Sequence, residues 1–536
     1  MESEPATWRA TAQGETPLDK TINSIGMGRY QWALLLLTGC GYAADNAWLQ
    51  GVAIILPRVQ KDFAVPDGQI GLLSSCTFAG MMLGAFAWGT WSDANGRKLA
   101  FDGTLLLVTV FGFLSAFAGS FPTLCLGLFC LGLGLGGSMP TDGLVFVENL
   151  PTSKQYLLTF LSVFFSMGSV ASSVLGLLII PGPVERWRWF LGSLAALTTF
   201  FLSLRIVFFR LIESPRYLAS SGRYEEARVA LQKIAAYNGA PLPVALSDVH
   251  DQAEGASEAG GGSSVQGKAT RHRQPDSRGG YSAVASSDPV EASEGAEEWL
   301  PAAVSEALAP LLAKYGALFD DEWRLTTVLV WGIWTSVSLA YTMFNVFLPK
   351  FLESRLSTPT GPSDPSAVMR DYLLYATASL PGSLLGAWSV ETRLGRKGTM
   401  ALSLFLTAVG MLSFIQAAKR WQIILSSMTI SLTATTAYAA LYGYTPEVFE
   451  TEVRGTASGT ASGLSRLAGI IAPVLAGWLF SISINVPLVL SVILFVTAAA
   501  MCLALPIETR RERERDGELQ EGEGGAGDGE RRCDVT

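Results

Sequence analysis

The chain has 536 residues, of which 49% are hydrophobic and only 16% charged, and its formal net charge is −8. Soluble domains average about a quarter charged residues, so a soluble globular protein is excluded. The negative balance is local, since residues 248–298 hold ten Asp or Glu against four Lys or Arg, and it says little about partners.

Twelve apolar runs follow one another, at roughly 32–56, 69–91, 99–120, 122–147, 156–180, 187–209, 325–349, 369–391, 398–417, 420–445, 456–481 and 485–505. A bilayer core needs about 20 apolar residues per helix, and open strands cannot satisfy their backbone in lipid. The pattern predicts an all-α membrane protein with twelve transmembrane helices. Residues 1–31 are a polar N-terminal segment without the cleavage signature of a removable leader. The run from Trp32 is expected to act as an uncleaved insertion signal.

In the first span, "GYAADNAWLQG" sets Asp45 at mid-depth beside Trp48 and Gln50. After the second, "WGTWSDANGRK" clusters Asp93, Gly96, Arg97 and Lys98 between greasy runs. The fourth carries "GLGLGG" at 132–137, where small residues allow close helix approach, then Asp142 in "MPTDGLVF" and Glu148 at its end. Arg205, near the end of the sixth, is expected to snorkel to the headgroups. "IESPR" follows with Glu213 and Arg216.

Residues 210–324 read as a central loop. Its stretch 240–298, rich in Gly, Ser and acids, cannot bury a core and is expected to be disordered. Residues 299–322 regain apolar periodicity and suit a short amphipathic helix on the membrane surface. The second set of spans occupies 325–505, and the charged, Gly-rich 506–536 reads as a disordered tail.

In that second set Tyr341 and Asn345 lie in the seventh span, and Tyr438 and Tyr442 in the tenth. "WSVETRLGRK" supplies Glu391, Gly395, Arg396 and Lys397; Glu447, Arg454 and Glu508 mark later span ends. The eleventh span holds Arg466, with Gly455, Gly459 and Gly463 at four-residue spacing expected to pack closely. Pro140, Pro349 and Pro473 are expected to bend their helices. Six scattered cysteines form neither a disulfide framework nor a metal spacing. Both histidines, His250 and His272, fall in the polar middle segment, so no span offers imidazole.

Cations near span ends are modestly more numerous on one side, which predicts cytoplasmic N- and C-termini. Internal repetition is clearer. "GRK" at 96–98 recurs at 395–397, an offset of 299. Gly96 to Glu148 and Gly395 to Glu447 both span 52 positions; Glu148 to Gln155 and Glu447 to Arg454 both span 7. Glu213 and Glu508 then close each set. Two related six-span halves follow, the plan of many secondary transporters with a substrate site between the halves near the midplane.

The chain resembles the major facilitator superfamily. The resemblance rests on Gly89, Asp93, Gly96, Arg97 and Lys98 after the second span, its weaker copy, and "ESPR" after the sixth. "GLGLGGSMPTDGLVFVENLP" and "GYTPEVFETEVRGTASG" are similar to the sugar-porter-related branch, closest to transporters like synaptic vesicle glycoprotein 2, many of them fungal. The similarity covers about 30–240 and 324–510. It implies two pseudo-symmetric six-helix bundles that rock around a central site.

Solvated, topology-setting charge is one reading of the loop residues. The resemblance implies another, a cytoplasmic latch in which Asp93, Arg97, Lys98, Glu148, Glu213 and Arg216, with Glu391, Arg396, Lys397, Glu447, Arg454 and Glu508, hold the halves closed on the inside. Arg suits this because its planar fork binds carboxylates bidentately. Two departures stand out: Gln155 replaces the cation matching Arg454, and Glu391 lies one residue farther from its glycine than Asp93 does.

Charges at membrane depth are costly and mark cavities or ion paths, unless they are structural and satisfied internally. Asp45 and Asp142 are the natural proton carriers of a coupled transporter. Arg466 needs a partner or an anionic substrate, so Asp and Arg together would suit an organic anion or zwitterion. Trp48, Gln50, Tyr341, Asn345, Tyr438 and Tyr442 are candidates to line the site.

The expected function is a secondary active transporter, with proton symport as one option, of a small polar organic solute: an organic ion, vitamin-like or sugar-like. An uncoupled facilitator or a transporter-like sensor is the alternative. No nucleophile–base set, metal spacing or phosphate loop supports an enzyme. No cofactor, metal or nucleic acid is expected, and a monomer in a plasma or internal membrane is.

Overall fold

The computed structural model describes residues 17–155, 157–239, 315–316, 318–320, 323–356, 364–449 and 451–507. Among these residues the regular structure is helical. A short α1 (Pro17–Ile25) precedes α2 (Arg29–Asp62), a one-turn α3 (Asp67–Ile70), α4 (Leu72–Asn95), α5 (Arg97–Ala116), α6 (Phe121–Glu148), α7 (Leu157–Ile179) and α8 (Arg186–Ser203). Two short helices, α9 (Pro215–Ser220) and α10 (Tyr224–Asn238), lead to the second set. That set comprises α11 (Arg324–Leu356), α12 (Pro365–Ser389), α13 (Gly395–Gln416), α14 (Arg420–Val448), α15 (Thr451–Phe480) and α16 (Val486–Ala504).

Twelve long helices therefore stand where the apolar runs predict spans. Ten of them are long and apolar enough to cross a membrane. The other two, α2 and α12, are equally long but more polar: α2 buries Asp45, Asn46 and Gln50, and α12 buries Asp371, Tyr372 and Tyr375. The disordered stretch expected at 240–298 and most of the amphipathic helix expected at 299–322 lie outside the described residues.

The halves repeat one packing plan. α4 packs on α6, α6 on α5, α5 on α8 and α2 on α7; α12 on α14, α14 on α13, α13 on α16 and α11 on α15 match them pair for pair. Contacts between halves obey the same symmetry, with α4 against α15 and α7 against α12, and α2 against α11 on the axis.

The closest packing is α4 against α6. A Cβ on Gly132 would stand 2.3 Å from the Thr77 carbonyl oxygen, and one on Gly136 2.0 Å from that of Met81. Gly80 and Gly84 meet the α6 backbone in the same way. "GLGLGG" thus packs as small residues in membranes do. The expectation for Gly455, Gly459 and Gly463 is not met: a Cβ on any of them would meet nothing within 4 Å.

α9 and α10 fall within what reads as loop, yet their stop signals are in the chain. Ser214 caps α9 by accepting a hydrogen bond from Tyr217 N at 3.2 Å, and Pro215 opens it. α10 ends at Gly239 in the left-handed region (φ 68°), the usual glycine stop. Asn238 then accepts from the Tyr30 amide at 2.9 Å and clamps this element to the start of α2.

Candidate translocation site

One end of the molecule is closed between halves. Lys61 of α2 pairs with Glu353 of α11. Lys350 of α11 reaches Asp67 of α3 at 2.5 Å and Gln60 of α2 at 2.9 Å. The Ser75 hydroxyl donates to the Ile470 carbonyl at 2.6 Å, and Gly71 lies against the Pro473 backbone, closer than a Cβ would allow. Deeper in, the Tyr372 hydroxyl of α12 donates to Gln50 of α2.

That bond belongs to a polar chain across the midplane. Gln50 donates to Asn46 at 3.4 Å, and Asn46 to the Phe165 carbonyl at 2.7 Å. Tyr375 donates to Asn345 at 2.8 Å, and the Tyr341 and Tyr375 hydroxyls are 3.1 Å apart. Tyr341 and Asn345 thus meet at Tyr375, and Gln50 joins them through the ring contact of Tyr372 with Tyr375 at 5.7 Å. Tyr372 and Tyr375 escaped the sequence reading, although their i, i+3 spacing puts both on one helix face. Trp48 is no lining residue: its Nε1 donates to Thr198 at 2.9 Å in the fully buried contact of α2 with α8.

The first-half acids lie in a packed core. Asp142 and Arg205 are both fully buried and pair at 2.5 Å. Arg205 also donates to the Phe101 carbonyl at 2.6 Å and the Leu37 carbonyl at 3.3 Å, and its guanidinium stands 3.8 Å over the Phe101 ring. The expected snorkelling is therefore wrong. Burial is possible because carboxylate, carbonyls and ring together replace water. A π-helical turn at Leu204–Phe208 sets the side chain there.

Asp45 is also fully buried, with Asp142, Arg205 and Ser138 as its electrostatic neighbours. Ser138 stands beside it without meeting hydrogen-bond geometry, and neither carboxylate oxygen has a partner. Beside this core the Tyr42 hydroxyl donates to the Met139 carbonyl at 3.3 Å. Asp45, Asp142 and Arg466 do not converge on one cavity in this conformation, because packed helices screen both acids from the space between the halves.

Arg466 lies near the middle of α15, on the face that carries Gly455 and Gly459. It is half-buried and makes no ion pair or hydrogen bond among the described residues. Its electrostatic neighbour is Tyr442, whose ring packs edge-on against Trp334 at 4.8 Å.

At the end opposite the closed one, each half holds its loop charges internally. Arg97 bonds Asp93 at 2.5 Å, Glu148 at 3.2 Å and Ser92 at 3.1 Å. Glu213 accepts from the amides of Arg97 (2.8 Å) and Lys98 (3.3 Å), capping the start of α5, where amides are free and the helix dipole favours an anion. Gly96 has φ 100°, and a Cβ there would stand 2.7 Å from Glu213, so only glycine suits it. Arg216 leaves this cluster to pair with Asp19 of α1 at 2.9 Å and to cap α6 through the Val147 carbonyl at 3.0 Å.

In the second half Arg396 pairs with Glu447 at 2.6 Å, Lys397 donates to the Leu505 carbonyl at 2.5 Å, and Arg454 donates to Phe449 at 3.2 Å. Gly395 has φ 64°. Glu391 is exposed and makes no ion pair among the described residues; Glu508 lies outside them. These pairs tie helices within a half rather than joining the halves.

Comparison with known proteins agrees with this architecture. The family model described as "Sugar (and other) transporter" matches residues 36–260, and "Major Facilitator Superfamily" matches 365–528. The chain is 32% identical to "MFS siderochrome iron transporter 1" of Ceriporiopsis subvermispora over 85% of this chain and 83% of that one. It is 28% identical to "Synaptic vesicle 2-related protein" of Xenopus laevis, covering 86% and 75%. It is 30% identical to "Organic cation/carnitine transporter 7" of Arabidopsis thaliana, covering 87% and 89%. In fold it is similar to the xylose transporter XylE of E. coli in a partially occluded inward open conformation, with TM-score 0.63 and 16% identity over 90% of this chain and 99% of that one. Repeat, packing plan and relatives agree: the chain is a multi-pass membrane protein of the major facilitator superfamily, in its sugar-porter-related branch.

Proposed function

We propose that the chain is a secondary active transporter that moves a small polar organic solute by alternating access. The observation that carries this reading is the asymmetry of the space between the halves. Lys61–Glu353, Lys350–Asp67 and Gln50–Tyr372 close one end, while the glycine face of α15 stands open toward the other. Rocking the halves would exchange open and closed ends. The latch charges sit at the open end, which this reading assigns to the cytoplasm together with both termini.

Proton coupling through Asp45 and Asp142 is part of the proposal. Asp142 takes the Arg205 guanidinium and leaves Asp45 without a partner in a dry core, which makes Asp45 the natural proton acceptor. A structure similar in fold is titled a D-xylose-proton symporter, which supports looking for coupling. The test is metabolite uptake by proteoliposomes with and without an imposed pH gradient. Coupled uptake should rise as the entry side is made more acidic, and Asn at both Asp45 and Asp142 should abolish that response. An unchanged response in the double variant would remove the coupling role; uptake indifferent to pH from the start would favour the facilitator.

A further inference from the structure

We infer that Arg466 is the receptor for a negative charge on the transported solute, so that the site takes a small organic carboxylate with a flat apolar body. This rests on the transporter reading above and names its substrate class.

The protein contains its own standard for a structural intramembrane arginine. Arg205 is sealed from solvent, with a carboxylate, two carbonyls and an aromatic ring around it. Arg466 has neither ion pair nor hydrogen bond among the described residues, yet it lies near the middle of its helix, whereas Arg205 lies just past the end of α8. An unpaired guanidinium there is costly and cannot shed its proton. It is tolerable only where water or an anion reaches it.

α15 shows where that reach comes from. One face is a buried alanine stripe including Ala461, Ala468 and Ala472, and a second, from Leu467 to Trp478, is exposed and apolar, as lipid requires. Arg466 lies on the third face, one to three helical turns beyond Gly463, Gly459 and Gly455, which meet no neighbour. Farther along that same face Ile470 and Pro473 touch Ser75 and Gly71 of the first half, and the neighbour of Arg466, Tyr442, is 60% exposed. The face that carries Arg466 therefore looks toward the first half rather than toward lipid.

Charge then selects the solute. Asp45 and Asp142 have no exposed surface, so no mid-depth acid among the described residues answers an ammonium group. Among the described residues Arg466 is the one mid-span cation without an ion pair, which favours an anion over a cation, a zwitterion or a neutral sugar. Trp334, Tyr442, Tyr438 and Tyr341 succeed one another at centroid spacings of 4.8, 6.4 and 5.5 Å. Such a row suits a flat apolar body.

The test is binding by the purified full-length chain, read as ligand-induced thermal stabilisation and tryptophan fluorescence. The probes are benzoate, hexanoate and lactate, with benzamide, xylose and benzyltrimethylammonium as uncharged and cationic counterparts. Benzoate should stabilise the protein and benzamide should not. Arg466→Gln should weaken benzoate binding about tenfold or more, and Arg466→Lys should recover part of it; unchanged unliganded melting shows that the variants fold. Equal responses to benzoate and benzamide, undiminished binding by Arg466→Gln, or no response to any carboxylate would overturn the inference. Uptake distinguishes it from the transporter reading. Arg466-dependent benzoate binding without transport of any solute would leave the anion site standing and remove the transporter. Transport of a neutral solute unaltered by Arg466→Gln would do the reverse.

Discussion

Arg205 and Arg466 are the same residue type within the spans of opposite halves, and the molecule treats them in opposite ways. Arg205 is used up by Asp142, Phe101 and Leu37; Arg466 is left for something that is not part of the chain. The contrast separates a charge that builds a helix bundle from one that faces cargo. It also shows that depth in the membrane does not by itself assign a role: what surrounds the group does.

The sharpest way to break this comparison is to remove one partner on each side. Arg205→Leu strands a buried carboxylate and should cost about 3–5 kcal/mol, lowering the melting temperature and the yield of folded protein. Arg466→Leu should leave melting nearly unchanged while abolishing benzoate binding. If both variants melt alike, the distinction between structural and receptor arginine fails.

Glycines offer the next contrast. Gly136→Leu would drive a side chain into the Met81 carbonyl and should prevent stable packing of α4 on α6, seen as aggregation on size-exclusion chromatography. Gly459→Ala enters open space and should change stability by less than about 0.5 kcal/mol. A closing conformation that uses this face would instead slow transport without changing melting.

At the closed end, cysteines at Lys61 and Glu353 should cross-link and stop uptake, with reductant restoring it. Persistent uptake by the cross-linked protein would argue that these helices need not part.

The smallest expected effect concerns the two latches. Asp93 is bound to Arg97, whereas Glu391 is exposed and unpaired among the described residues. Asp93→Asn should therefore slow uptake more than Glu391→Gln. Asp93 is itself largely exposed, so its stability effect should stay near the surface-pair range of about 0–1 kcal/mol. Equal rates would mean that the extra residue in the second loop has no mechanical consequence.

Much of this was legible in the chain. Twelve apolar runs, the 299-residue offset of "GRK" and the acids at mid-depth depend only on local composition and counting. Glu148 and Glu447 pair with Arg97 and Arg396 about one helix hairpin away, within each half, whereas the latch expected from the resemblance would join the halves. Arg205 was misplaced because snorkelling is the default for an arginine near a helix end, and nothing in "SLRIVFF" announces Asp142, 63 residues earlier. The glycines of α15 were misjudged for a related reason. Small residues at four-residue spacing permit close approach, but whether a partner helix comes depends on the other half of the molecule.

By itself, the sequence determined the membrane setting, the helix count, the repeat and which charges lie deep, because hydrophobic run length and residue type are local quantities that the bilayer reads directly. Only the tertiary structure decided which deep charges are spent on each other and which remain open, and which end is shut. Gln50 and Tyr372 are 322 positions apart, and Lys61 and Glu353 are 292. Contacts at such separation follow from how two bundles dock, and no local pattern encodes the state in which they are held.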